Sequence, residues 1–270
     1  MRSPMSGAAD PPPTPFPPQF SSPSAYWRGT PGPPKWPMRL SRRPASGVLK
    51  LAWRIRVHDR HHVPGDGPVI LASNHLAILD GPVLAAAMAR PVHGLVKKEM
   101  FHGLLGRTLR RLGQIPLDRG TADAGALKAA LAVLDRGDVL AIYPEGKRGP
   151  GDFTVIKPGV AYLALCTGAP VVPVACLGTR ALGKSTGAVP SMRTRIDVVF
   201  GRPVVLEAVP WPRRREVVRQ QASRLRQALI AHLREAVEVS GQAAPGAEQE
   251  AGPREAAAPT PGRIDVEEVS

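Results

Sequence analysis

Apolar residues along this chain fall into two patterns. Short, nearly continuous runs occur at Pro68–Ser73, Val92–Val96, Gln114–Leu117, Val139–Tyr143, Val171–Cys176 and Ile196–Phe200. Runs of this length, rich in Val, Ile and Leu, suit strands buried on both faces. Stretches of helical character lie between them. Ile78–Ala89 is small and apolar, Ala122–Arg136 puts Leu127, Leu131 and Leu134 on one face, and Pro158–Cys166 follows. Glu216–Val239 aligns Val218, Ala222, Leu225, Leu229 and Leu233 in one stripe, the pattern of a helix facing a core. Strands alternating with helices predict an α/β fold, a single domain with a largely parallel central sheet flanked by helices.

Two segments mix apolar and basic positions. Residues 45–57 join Val48, Leu49, Leu51, Trp53, Ile55 and Val57 to Lys50, Arg54 and Arg56, after Arg39, Arg42 and Arg43. A helix followed by a strand is expected there. Met100–Leu112 sets Phe101, Leu104, Leu105 and Leu109 beside Arg107, Arg110 and Arg111. Each segment fits either an interfacial helix docking on a membrane or a helix packed on the domain with its cations in water.

Composition limits the folded part. Of 31 prolines, 12 fall in residues 1–38, so that stretch is expected to be a disordered arm. Residues 241–270 carry six acids against Arg254 and Arg263, which predicts an acidic disordered tail. The formal net charge of +14 is therefore concentrated in residues 39–240, the expected folded domain. A surplus of this sign favours nucleic acid, anionic lipid or phosphorylated small molecules as partners. Cys166 and Cys176 stand apart with no zinc-ligand spacing, which suits a reducing cytosol. His58, His61 and His62 lack a clear fourth ligand and read as a solvated loop. No apolar run approaches the roughly 18 residues of a membrane span, so membrane association is expected to be peripheral.

The candidate chemistry sits in short blocks at strand ends. In Asn74-His75-Leu76-Ala77-Ile78-Leu79-Asp80, a histidine can take a hydroxyl proton near neutral pH while a carboxylate on its other nitrogen fixes the tautomer. On a regular helix a five-residue separation turns the two side chains roughly 140° apart, so His75 must precede the helix proper. A histidine and an aspartate facing solvent in a loop fit the same spacing. Gly113–Arg119 ends a short strand in a guanidinium, which can grip a phosphate with two parallel hydrogen bonds or simply lie in water. Tyr143-Pro144-Glu145-Gly146-Lys147-Arg148 offers cations to a phosphate and a carboxylate to a hydroxyl, and reads equally as a plain turn. Lys157 adds a cation at a helix start. Pro173, inside Val172-Pro173-Val174, marks an edge, a bulge or a site.

Taken in order, these blocks resemble the glycerolipid acyltransferase family, and within it the lysophosphatidic acid (1-acylglycerol-3-phosphate) acyltransferases. Asn74-His75 to Asp80 is similar to the family's His-x4-Asp block, Gly113–Arg119 to its second, Tyr143–Arg148 to its Phe-Pro-Glu-Gly-Thr-Arg block, and Val172–Val174 to its fourth. The resemblance covers about residues 50–205. It implies His75 as general base, Asp80 as its orienting partner, Arg119 and Arg148 as phosphate binders, Glu145, Gly146 and Lys147 around the acceptor, and Pro173 as a fourth contact. It implies an acyl-CoA or acyl-acyl carrier protein co-substrate, a lysophospholipid acceptor, an anionic membrane surface on the cytoplasmic side, and no metal or bound cofactor. Ala77, Lys147 and Gly149 depart from the family's usual Ser, Thr or Ser, and Ser, which leaves the acceptor open: glycerol 3-phosphate, another lysophospholipid or a glycolipid fits the same chemistry. A nucleic-acid-binding protein is the competing class, but the chain shows no such motif and only 4% aromatic residues for base stacking.

Overall fold

The computed structural model describes residues 32–33, 46–120, 123–180, 184–209 and 213–245. The expected arm, apart from Gly32 and Pro33, and the tail beyond residue 245 lie outside the described residues, as do Arg39, Arg42 and Arg43. The strands are β1 (Arg54–His58), β2 (Val69–Ser73), β3 (Val92–Lys97), β4 (Ile115–Leu117), β5 (Val139–Ile142), β6 (Val171–Leu177) and β7 (Arg195–Phe200). The helices are α1 (residues 46–52), α2 (Asp80–Ala87), α3 (Gly103–Arg111), α4 (Ala124–Asp135), α5 (Gly159–Thr167) and α6 (Arg215–Ser240).

All seven strands form one sheet in the order β1-β7-β6-β2-β5-β3-β4. β2 lies between β5 and β6, in parallel with both, and pairs Ile70 with Leu140 on one side and with Val171 on the other. β3 continues the parallel part to β4. Only β7 runs against its neighbour β6, and β1 follows β7 in parallel. The carboxyl ends of β2 to β6 and the amino ends of β1 and β7 therefore share one edge of the sheet, the edge where ligands bind in open α/β sheets.

The central strands are buried throughout because both faces are covered. Ile70, Ala72, Leu140 and Ile142 point into the layer completed by α4, α5 and α6. Val69, Leu71, Val139 and Ala141 point the opposite way, against Val83, Leu84 and Ala87 of α2. The stripe read along Glu216–Val239 is indeed inward, with Ala222, Leu225, Leu229 and Leu233 all buried.

Three differences from expectation have local causes. The helix expected from Ile78 begins at Asp80, because the Asp80 carboxylate accepts from the Leu76 and Ala77 amides (2.7 and 2.8 Å) and holds the preceding residues in a turn. Pro173 lies in an interior strand. The ladder to β7 starts at Val174, and the Gly201 amide donates to the Pro173 carbonyl (2.8 Å), so the missing proline N–H falls where pairing ends. The histidines after β1 are not a free loop: His58 Nε2 meets Asp197 Oδ1 at 2.8 Å and His62 Nδ1 donates to the Phe200 carbonyl at 2.9 Å, tying the strand end to β7. Among the described residues no group of three or more His, Cys, Asp or Glu is placed to hold a metal, and no helix is long and apolar enough to cross a membrane.

Candidate active site

His75 stands just past the carboxyl end of β2, in the irregular stretch before α2, as the five-residue spacing requires. Asn74 anchors this strand end: its amide oxygen accepts from the Cys176 N–H (2.7 Å) and its amide nitrogen donates to the Cys176 carbonyl (3.1 Å). The His75 backbone is held from the other side, its N–H donating to Glu145 Oε1 (3.1 Å) and its carbonyl accepting from the Gly149 N–H (2.9 Å). The backbone of His75 is thus held on both sides.

The ring meets Asp80 through Nδ1 and Oδ2, 2.8 Å apart. Asp80 is fully buried in the first turn of α2, where the helix dipole favours a negative charge. Its Oδ2 also accepts the Leu76 and Ala77 amides, and its Oδ1 accepts a 2.6 Å hydrogen bond from Thr179 Oγ1. The carboxylate is thus fixed by four donors. Nδ1–H donates to it, which leaves Nε2 as the nitrogen with a free lone pair.

Tyr143 stacks on the His75 ring at 4.0 Å between centroids, 20° from parallel. Burial, then the nearby Asp80 charge, pushes its phenol well above the ordinary range, and the hydroxyl finds no hydrogen-bond partner among the described residues. Glu145 clamps the loop that follows, accepting from His75 N–H with one oxygen and from Gly151 N–H (3.2 Å) with the other. Burial pushes its carboxyl up to about 7, against the pull of those two amides. Gly146 has φ +74°, a conformation that favours glycine, and the end of the Lys157 side chain passes close to it.

A cavity of about 690 Å³ opens beside this dyad, under the layer of α4, α5 and α6. Its walls are apolar, with Leu95, Leu127, Ile142, Val160, Leu163 and Val218. Its rim is mainly cationic: Arg119, Lys157, Arg213, Arg215 and Arg219 line it with Asp123, and all these cations but the half-buried Arg213 are exposed. Tyr143 belongs to both places, stacked on His75 and lining the cavity.

The residues singled out in the sequence divide accordingly. His75, Asp80 and Glu145 meet in one cluster. Arg119 and Gly146 line the cavity. Lys147 and Arg148 lie on an exposed loop, with Arg148 Nη1 donating to the Thr186 carbonyl (3.2 Å), and neither lines the cavity. Pro173 pairs with Ala72 within the sheet. Sequence reasoning missed Thr179 and the Arg213, Arg215 and Arg219 group. The arginines carry a weak signal, a basic run at the start of a helix. Thr179 carries none.

A model of the Acyltransferase family matches residues 54–177. The chain is 25% identical over 159 residues to the 1-acyl-sn-glycerol-3-phosphate acyltransferase of Bacillus subtilis, a match covering 58% of this chain and 77% of that protein. It is 31% identical over 166 residues to the protein of the same name from Streptococcus pneumoniae, covering 58% of this chain and 60% of the relative. Its fold is similar to the crystal structure of the 1-acyl-sn-glycerophosphate (LPA) acyltransferase PlsC from Thermotoga maritima, with a TM-score of 0.53, 21% identity, and coverage of 71% of this chain and 79% of that one. The stretch matched by the family model runs from the start of β1 to the end of β6 and so takes in the clamped dyad, Arg119, Glu145 and Pro173; over it the chain is similar to the Acyltransferase family and to relatives named 1-acyl-sn-glycerol-3-phosphate acyltransferase.

Proposed function

We propose that the protein transfers a fatty acyl group from a thioester donor, acyl-CoA or acyl-acyl carrier protein, to the 2-hydroxyl of 1-acylglycerol 3-phosphate, giving phosphatidic acid at a membrane surface. The observation that carries this reading is the His75–Asp80 dyad, with Nδ1 committed to the carboxylate at 2.8 Å and Nε2 left to accept a proton. In the reaction Nε2 takes the hydroxyl proton as the acceptor oxygen attacks the thioester carbon. The tetrahedral intermediate then collapses, the C–S bond breaks, and the imidazolium returns the proton to the departing thiolate. Asp80 keeps the imidazole oriented and stabilises its positive form without being protonated itself.

The neighbouring cavity supports an amphiphilic substrate. Its apolar wall suits an alkyl chain, and the five cations along its lining suit a phosphate. Arg119 is the cation that the resemblance implies for this task, and its place in the cavity lining supports that reading. No metal or bound cofactor is needed for any step. Ala77, Lys147 and Gly149 favour a second reading, the same transfer to a different phosphorylated or glycosylated alcohol.

Turnover of one labelled acyl-CoA against a panel of acceptors tests the proposal. Phosphatidic acid formed from 1-acylglycerol 3-phosphate, faster than any ester from glycerol 3-phosphate, other lysophospholipids or glycolipids, supports it. Faster turnover with one of those acceptors moves the assignment there, and no turnover with any of them removes it.

A further inference from the structure

β6 ends at Leu177, and Gly178, Thr179 and Arg180 follow it. Gly178 has φ +81°, and a Cβ there would meet the Arg195 carbonyl of β7 at 2.4 Å, so the chain turns close against its neighbour strand at this point. The turn brings Thr179 to Asp80 and sets Arg180 against the loop after β5, where its Nη1 donates to the Gly149 carbonyl (3.1 Å). Gly149 is also the residue whose N–H donates to the His75 carbonyl. One residue thus holds the dyad histidine on one side and a guanidinium on the other.

This cation is not neutralised in place. Arg180 is half-buried, and none of the ion pairs among the described residues includes it. The acids of the cluster are engaged with other donors: Asp80 with His75, Leu76, Ala77 and Thr179, Glu145 with the His75 and Gly151 amides, Asp152 with the Thr154 amide. A guanidinium carries five N–H donors in a rigid fork, and one bond to a carbonyl leaves most of them for an anion. Arg148, on the same loop, is exposed and directed at the Thr186 carbonyl instead. There is also room: a Cβ at Gly149 would meet nothing nearer than Glu145 Oε2 at 4.0 Å, so the backbone between His75 and Arg180 borders open space. Position in the sheet adds to this. β6 is the immediate neighbour of β2, one strand spacing of about 4.8 Å, whereas β4, which precedes Arg119, is three strands away.

We infer that Arg180 is a specificity-determining residue, whose fork holds a phosphate carried on the carbon next to the hydroxyl that His75 deprotonates and so selects phosphorylated alcohols over uncharged ones. The inference rests on the proposed acyl transfer for the identity of that hydroxyl. In such an acceptor the phosphate and the attacking oxygen are only a few bonds apart, so the phosphate is met close to the base, on the flank where Arg180 stands. Arg119 reaches it from the cavity side, and the three terminal oxygens of a phosphate accommodate both guanidinium groups. An uncharged acceptor leaves the Arg180 fork half-buried without an anion, a cost that the phosphorylated one removes.

Turnover of two acceptors with one acyl-CoA tests this: 1-acylglycerol 3-phosphate and the matching 1-acylglycerol, both presented in uncharged detergent micelles. Arg180→Gln is expected to lower kcat/KM for the phosphorylated acceptor about 10- to 100-fold more than for the uncharged one, through the acceptor KM. Arg180→Lys is expected to recover only part of the difference, since an ammonium keeps the charge without the fork. Equal falls on both acceptors reduce Arg180 to a support for Gly149 and overturn the inference, as does a rise confined to the donor KM. Calorimetric titration with glycerol 3-phosphate reads binding without turnover. Its affinity is expected to fall by a similar factor in Arg180→Gln, with circular dichroism unchanged, and equal affinity in the two proteins overturns the inference. Glycerol 3-phosphate binding that depends on Arg180 in a protein that turns over no acceptor leaves the phosphate site standing and defeats the acyltransferase reading instead.

Discussion

Thr179 and Asp80, 99 residues apart in the chain, are joined by a 2.6 Å hydrogen bond from the threonine hydroxyl to the carboxylate oxygen that the histidine does not use. Both side chains are fully buried. The bond fixes the carboxylate plane and with it the imidazole. Thr179→Val, which keeps the shape and removes the donor, is expected to lower kcat about 10- to 100-fold with little change in KM, as for other groups that orient a ligand or base from behind. Thr179→Ser is expected to recover most of the loss. A fall confined to stability, with kcat intact, contradicts the positioning role.

Removing the base has a larger effect. His75→Ala is expected to leave the chain folded and to reduce turnover by roughly 10²–10⁴. Asp80→Asn is also expected to be severely impaired, since an amide can present its nitrogen to Nδ1 and favour the wrong tautomer. Near wild-type activity in His75→Ala would remove the mechanism.

The cavity rim separates two assignments for the phosphate. Arg119→Ala is expected to raise the acceptor KM by about tenfold or more, the scale of one lost charge-assisted hydrogen bond. Arg148→Ala is expected to do less, because Arg148 donates to the Thr186 carbonyl and stands outside the cavity lining. Measuring acceptor and donor KM separately checks both. A rise in donor KM alone assigns Arg119 to the phosphates of the donor.

Glu145 makes stability depend on pH. Burial pushes its carboxyl from the ordinary 4.5 up to about 7, so the folded chain holds this proton more tightly than the unfolded one. The corresponding stability is fully present below pH 4.5 and is lost as pH rises through about 7, at most roughly 3 kcal/mol for a shift of this size. Urea unfolding at pH 5 and pH 8 should show a smaller drop in Glu145→Gln than in the wild type. Equal drops in the two proteins rule out this origin.

Much of the architecture is written in local pattern. Short continuous runs rich in Val and Ile suit strands covered on both faces, and their β-branched content is what separates them from the equally apolar but Ala- and Leu-rich helix α5. The five-residue gap between His75 and Asp80 already required a turn before the helix, and that turn is what Asp80 builds by accepting the amides of Leu76 and Ala77. These are short-range effects, set by rise, rotation and side-chain reach within one turn of chain.

Three features needed the tertiary structure. The antiparallel placement of β7 has no signature in its own residues, since a strand buried on both faces reads the same in either direction, and it is this reversal that brings α1 and the loop before β7 to the catalytic edge. Pro173 looked like an edge or bulge residue, and only the register shows that its missing donor falls just outside the ladder to β7. Thr179 and the arginines at the start of α6 join the site through chain separations that no local pattern encodes, because their positions follow from how the sheet stacks its strands rather than from any neighbour in sequence.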